Sequence, residues 1–346
     1  MMRAVKAAGS KLKLKWEYLL VLLLIVEIII FGNLNPNFLK PRVLFGSVND
    51  FISICIISVF SCFVFITGGI DLQAGSIVGL TSIIIGVLWK DFGFNIWAAC
   101  LLAMLIGSLC GALSGFFIAY TGVQPMVVTL GGSFLFSGLA IAVSNLSNTP
   151  AYLGINGFPE AFTWFTKKRL FKVLPVQFII FLILAAIAYI ILHRTKYGRK
   201  VFLCGINQRS AEYSGINTKL IVMSTYIFSG MSASIAGIVM TSYLGTSKAD
   251  FGSDLTMPII TAIVLGGTST LGGKGSVTGT ALAALVIGVL RFGLSMSGLS
   301  NQYMDIPVGI MLVVVVAASS ISKNMKIKAF IRKHLNLPFK QSARQV

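Results

Sequence analysis

An all-α integral membrane bundle is the fold class this chain predicts, on three observations. Apolar stretches of about 18 residues or more recur along the whole sequence, long enough to cross a hydrocarbon layer as helices. Charged residues make up only 11% of the 346, where a water-soluble domain carries about 25%. The cations gather beside apolar stretches: of 28 Lys and Arg, five precede Tyr18, six lie between residues 194 and 219, and seven follow Ser322. Basic loops flanking apolar spans mark the cytoplasmic side. The net charge of +18 is therefore expected to face anionic membrane lipid and no nucleic acid, since the aromatic residues sit inside the apolar stretches. With no polar stretch long enough to fold alone, residues 1–346 are expected to form a single transmembrane domain, with a basic cytoplasmic N-terminus over 1–16 and a basic cytoplasmic tail over 322–346.

Ten candidate spans follow in order, eight to ten being the range the pattern allows. The first, 17–32, has the basic start of a signal peptide. It runs into Phe31-Gly32-Asn33-Leu34-Asn35-Pro36, without a small-residue cleavage site, and is expected to be retained. The second and third, 49–68 and 71–89, are nearly continuous through Gly68-Gly69. The fourth, 96–119, carries Gly107, Gly111 and Gly115 at every fourth residue, a seam that lets helix backbones approach closely. The fifth and sixth, 125–145 and 175–193, open at Pro125 and Pro175, where a missing N–H costs least. The loop 146–174 between them is expected outside, although Lys167, Lys168, Arg169 and Lys172 oppose the charge rule. The remaining spans are 220–243, a short 256–268 near Pro258, 276–293, and 304–321 near Pro307. Trp16, Trp89, Trp97 and Trp164 fall at predicted membrane borders, which suit an indole. An even count puts both termini and the loop 194–219 in the cytoplasm.

An internal echo joins two regions. Gly68-Gly69 precedes Gly75-Ser76-Ile77-Val78-Gly79, and Gly266-Gly267 precedes Gly275-Ser276-Val277-Thr278-Gly279; each block runs on into Ile-Gly-Val-Leu. Glycine-interrupted segments at corresponding places in two halves suit a transporter built from repeats. The copies are parallel on a count of ten spans and inverted if one span is miscounted. Close packing and lining of a path are both open to these glycines.

Chemistry-bearing residues are few. Lys274 is followed by Gly275, and Thr268 stands where a phosphate-binding loop needs its first glycine, so the chain is not expected to hydrolyse ATP. His193 and His334 are the only histidines, and no catalytic or metal-binding spacing includes them. The chain is not expected to be an enzyme. Cys55, Cys62, Cys100, Cys110 and Cys204 form no CxxC pair and read as small apolar filler. Intramembrane acids are costly and so informative. Glu27 lies deep in the first span, facing a cavity or partner, or held protonated or paired within the bundle. Asp71 either caps the third span or acts on a path or gate. Asp50 and Asp305 begin spans and read as caps. The stretch 197–216 predicts a short helix from Gln208 to Ser214, started by Asn207 and stopped by Gly215. A lipid-facing loop needs no such pattern, whereas a surface that docks another protein does.

Three blocks resemble the permeases of ribose-type bacterial ABC importers. They are Thr67-Gly68-Gly69-Ile70-Asp71-Leu72 running to Gly75-Ser76, Gly205-Ile206-Asn207 through Ala211 to Ser214-Gly215-Ile216, and Val264-Leu265-Gly266-Gly267-Thr268-Ser269 running to Gly272-Gly273-Lys274-Gly275-Ser276. With Val128-Thr129-Leu130-Gly131 they span most of the chain in family order. Gln73-Ala74 departs from the common Ser-Val and Ser210-Ala211 from the usual Ala-Ala; Gln73 bears on solute preference. The resemblance implies an inner-membrane permease subunit fed by a periplasmic solute-binding protein. Two ATPase subunits would dock on the cytoplasmic loops, with Asn207, Arg209, Ala211, Glu212, Ser214 and Gly215 in the coupling loop. ATP would be bound by that partner, and no cofactor by this chain. Gly68, Gly69, Asp71, Gln73, Gly266, Gly267 and Glu27 are the candidates for path or gate. Trp16-Glu17, Val26-Glu27-Ile28, Asn35-Pro36, Asp50-Phe51-Ile52, Gly157-Phe158-Pro159, Ala161-Phe162-Thr163 and Asn301-Gln302 further resemble the D-type branch that serves import of autoinducer-2, a quorum-sensing signal. That branch implies a different, C-type chain as second permease. A permease for ribose or another monosaccharide is the alternative, and a secondary transporter, for which no proton or cation relay is evident, a distant one.

Overall fold

The computed structural model describes residues 16–150, 152–170, 173–300 and 303–323, with side chains of the last helix described as far as Val314. The basic N-terminus, the tail beyond 323, Lys172, Asn301-Gln302 and His334 lie outside the described residues.

The elements in order are α1 (Trp16–Leu34), α2 (Pro41–Gly46), α3 (Val48–Ile66), α4 (Ala74–Lys90), α5 (Ile96–Phe116), α6 (Pro125–Ser144), β1 (Ile155–Asn156), α7 (Glu160–Lys167), β2 (Arg169–Leu170), β3 (Leu174–Pro175), α8 (Val176–Tyr189), α9 (Lys196–Ile206), α10 (Gln208–Tyr213), α11 (Thr218–Leu244), β4 (Thr246–Ser247), α12 (Thr256–Leu265), α13 (Val277–Met296) and α14 (Asp305–Lys323). Among the described residues seven helices are long and apolar enough to cross a membrane: α1, α3, α6, α11, α13, and α5 and α8 as continued by π-helical turns to Thr121 and Arg194; α4, α12 and α14 are shorter apolar helices. Each of the ten predicted spans coincides with one of them, to within a few residues. Helix α12 has 10 residues, about 15 Å of rise, half of a typical hydrocarbon thickness.

Helix α3 is the centre. Every residue from Phe51 to Ile66 is buried, as expected of a helix apolar all round, and α8, α11, α12 and α13 pack about it. Helix α1 leans on α13, α6 on α4, and α14 on α12. The glycine ladder is a packing seam. A Cβ at Gly111 would strike the Tyr226 carbonyl, and one at Gly230 the Gly107 carbonyl, so α5 and α11 meet backbone to backbone through small residues.

The bundle has two dissimilar ends. At one, the segment 145–175 forms α7 and two small antiparallel pairings, β1 with β4 and β2 with β3. Trp97, at the start of α5, lies 6.1 Å from Phe162 and 6.2 Å from Phe165 of α7. At the other end lie α9 and α10, where the sequence predicted only the shorter helix. Of the two acids read as caps, Asp305 instead pairs with Arg291 at 3.2 Å, and Asp50 lies in the first turn of α3. Both line a cavity of about 530 Å³ with Arg291 and Asp254.

Candidate functional site

Helix α10 forms for local reasons. The Asn207 side chain accepts from the Ser210 N–H at 2.9 Å, satisfying one of the four unpartnered donors of a helix start. At the far end Gly215 takes φ +78°, and the Ile216 N–H donates to the Ala211 carbonyl at 3.1 Å, a left-handed glycine stop. Ala211 alone is buried in this helix, while Arg209, Glu212, Ser214 and Gly215 are exposed. Glu212 is also held from below, accepting from the Thr218 hydroxyl at 2.5 Å. The surface presented outward is apolar in part: Tyr213 is 93% exposed and Ile206 69%. Thus α10 is a preformed knob with one inward anchor.

Helix α9 fastens that knob to the bundle. Thr195 caps it by accepting from the Gly198 N–H at 3.3 Å, and Val201 and Cys204 are buried. Burial pushes the Cys204 thiol up from its ordinary pKa, so it is not a reactive cysteine. Gly205 touches the end of α3 so closely that a Cβ would strike the Ile66 carbonyl oxygen. That oxygen accepts from the Gly273 N–H at 2.8 Å, and a Cβ at Gly272 would lie 2.9 Å from the Gly205 carbonyl and 3.0 Å from the Gly68 nitrogen. Three chain segments therefore close on one point: the end of α3, the end of α9, and the loop between α12 and α13. Only glycine permits that approach.

The two glycine pairs end two helices alike. Gly68 takes φ +85° and Gly267 φ +88°. Behind them the Gly69 N–H donates to Val64 at 3.0 Å and the Thr268 N–H to Ile263 at 3.2 Å, the same left-handed stop. The structural match is Gly68 with Gly267, one residue off the pairing that the sequence echo suggested. Gly69 instead lies under Tyr226 and Val64, Gly266 against Thr280, and a Cβ at Gly267 would lie 3.2 Å from the Trp16 ring.

Between α3 and α4 the chain is non-helical over residues 67–73, and its polar groups must be met from within the protein. Asp71, 2% exposed, does this twice. One carboxylate oxygen accepts from the Gln73 N–H at 3.0 Å, the other from the Ser229 hydroxyl at 2.5 Å. Ser229 in turn lies 2.7 Å from the Ser61 hydroxyl. Asp71 thus holds the turn ahead of α4 and ties it to α11 and α3; the cap position itself is Gln73, whose side chain makes no cap bond. Gln73 is fully buried, accepting from the Ser114 hydroxyl at 2.6 Å, while Thr129 donates to the Ile70 carbonyl at 3.0 Å. Gln73 Nε2 and Tyr226 OH have no hydrogen-bond partner among the described residues.

Glu27 stands apart from both groups. It is buried in α1, which packs on α13, and its Oε2 has no hydrogen-bond partner among the described residues. Sequence reasoning overlooked Ser61, Tyr226 and Ser229 in the break, and Ile206 and Tyr213 on the knob. The run of serines in α11 and an aromatic between Glu212 and Ser214 were the available signals. Among the described residues no group of three or more His, Cys, Asp or Glu is placed to hold a metal ion.

Comparisons with known proteins agree with this architecture. Residues 43–316 match the model of a family described as branched-chain amino acid transport system / permease component. The autoinducer 2 import system permease protein LsrD of Enterobacter sp. (strain 638) is 41% identical over 324 residues, 93% of this chain and 98% of the relative. The LsrD of Klebsiella pneumoniae is 43% identical over 90% of this chain and 93% of the relative, and that of Escherichia coli K12 is 40% identical over 95% and 99%. No solved structure matches the chain.

Proposed function

We propose, from the premise that this chain belongs to the family of branched-chain amino acid transport system permease components, that it imports autoinducer-2 as one of two permeases in an ABC importer. As a member of that family it is a non-catalytic, multi-pass bacterial membrane permease subunit. The cargo reading is supported by identities of 40–43% to autoinducer 2 permeases along nearly the full length of both chains. The observation that carries the mechanism is the glycine closure at Gly205, Gly68 and Gly272.

In this reading the ATPase partner grips Ile206, Arg209 and Tyr213 of the α9–α10 knob. Movement of α9 on nucleotide binding then bears on the ends of both α3 and the α12–α13 loop, because all three segments touch. The two breaks would shift together. Asp71, with Ser229, would hold the 68–73 break closed until that shift, and Gln73 would meet solute when it opens. Ten crossings with both ends cytoplasmic suit this reading. They put α3–α4 and α12–α13 in the same orientation, as parallel copies of one helix–break–helix unit. A periplasmic solute-binding protein and a C-type second permease complete the assembly.

Reconstitution of the four components in proteoliposomes tests it. ATP-dependent uptake of labelled autoinducer-2, not competed by excess ribose, is expected. Uptake of ribose in its place would overturn the cargo, and uptake driven by an ion gradient without ATP would overturn the coupling.

A further inference from the structure

The end of the bundle opposite α10 carries a basic cluster that the proposed coupling at α10 does not involve. Between residues 145 and 175 the sequence has one acid, Glu160, and the bases Lys167, Lys168 and Arg169 follow one another. Translocating such a cluster opposes the charge rule for membrane proteins. The fold adds to it. The Arg169 guanidinium donates to the Arg42 carbonyl at 3.4 Å, which brings α2, with exposed Lys40 and Arg42, beside β2. Apolar side chains are interleaved with these cations: Trp164 is 59% exposed, Phe165 45% and Leu170 42%. The Lys168 ammonium lies 4.5 Å above the Trp164 ring, and a groove of about 560 Å³ runs between Glu160, Thr163, Trp164 and Lys167. Trp97 and Phe165, in contact at the start of α5, fix this platform at the membrane border.

We propose that α7, β2 and α2 form a site for anionic phospholipid headgroups in the outer leaflet. Exposed aromatics would enter the acyl boundary while Lys167, Lys168, Lys40 and Arg42 meet the phosphates. The side of the membrane follows from the proposed ten-crossing topology.

The test reads Trp164 alone, as the difference in fluorescence quenching between the full-length protein and its Trp164→Phe variant in phosphatidylethanolamine vesicles. Brominated phosphatidylglycerol is compared with brominated phosphatidylcholine. Phosphatidylglycerol should be enriched about fivefold at Trp164, the scale of one lysine at an anionic surface. The preference should vanish in Lys167→Gln/Lys168→Gln and persist in Lys167→Arg/Lys168→Arg. Equal quenching by both lipids, or a preference that survives the glutamine pair, would overturn the site. Equal quenching with loss of stimulation by the solute-binding protein in the glutamine pair would assign the platform to an acidic protein face. Labelling of a Cys at Lys168 by an impermeant reagent in intact cells checks the topology separately, so its failure and that of the lipid site are distinguishable.

Discussion

The α10 knob and the 68–73 break are built from the same parts and used oppositely. Each has an Asn or Asp whose side chain accepts from a backbone N–H two or three residues on, at 2.9 Å for Asn207 and 3.0 Å for Asp71. Each has a left-handed glycine, Gly215 or Gly68. Around α10 these devices leave most side chains exposed, with Ala211 as the buried anchor. Around the break they draw Asp71, Gln73 and Tyr226 wholly inside. A segment whose polar groups are satisfied locally and whose apolar groups face outward is prepared for a partner. One whose polar groups depend on three neighbouring helices is prepared to be held, and to be released when those helices move.

The largest expected effect separates the two at once. Ala211→Pro removes an N–H that donates to Asn207 at 3.0 Å, and proline within a helix costs about 3 kcal/mol. Solute-driven ATP turnover of the complete importer should be abolished while membrane insertion is unchanged; Arg209→Glu should act in the same direction. Normal coupled turnover in both would move the partner contact elsewhere.

Asp71→Ala should act on the other region. It removes two buried hydrogen bonds and leaves the Ser229 hydroxyl with Ser61 alone, so about 2–3 kcal/mol of stability should be lost, read as lowered thermal stability of the purified complex. Asp71→Asn, which keeps an acceptor, should lose about half of that. A complex of unchanged stability in both would remove Asp71 from the lock.

Glycine substitutions give the smallest effects and sharpen the comparison within the breaks. Gly69→Ala must displace Tyr226 or Val64 and should cost about 1–3 kcal/mol. Gly267→Ala meets only Trp16 at 3.2 Å but is strained at φ +88°, about 1–2 kcal/mol. If the glycines only pack, stability falls and import per assembled complex is unchanged. If they also serve the path, assembled complexes hydrolyse ATP and import slowly. Normal stability with normal import in both would leave the repeat as a relic of ancestry.

Much of this was legible in the sequence because the relevant signals are local. Apolar length gave the ten helices, and Asn207 with Gly215 gave both limits of α10. What escaped depends on contacts far apart in the chain. Nothing local says that Ser229 would reach Asp71, 158 residues away, or that Gly205 would close on Ile66. The echo misaligned Gly68 and Gly267 because repeated glycine pairs do not reveal which member turns left-handed. Asp305 was read as a cap because its partner Arg291 stands on another helix.

The most direct test asks which end of the bundle meets the ATPase. All five cysteines are buried, so a single exposed one reports cleanly. With Cys placed at Tyr213, a short thiol cross-linker should join the permease to the ATPase subunit, and with Cys at Lys168 it should not. A cross-link from position 168 and none from 213 would contradict both the coupling site and the topology built on it.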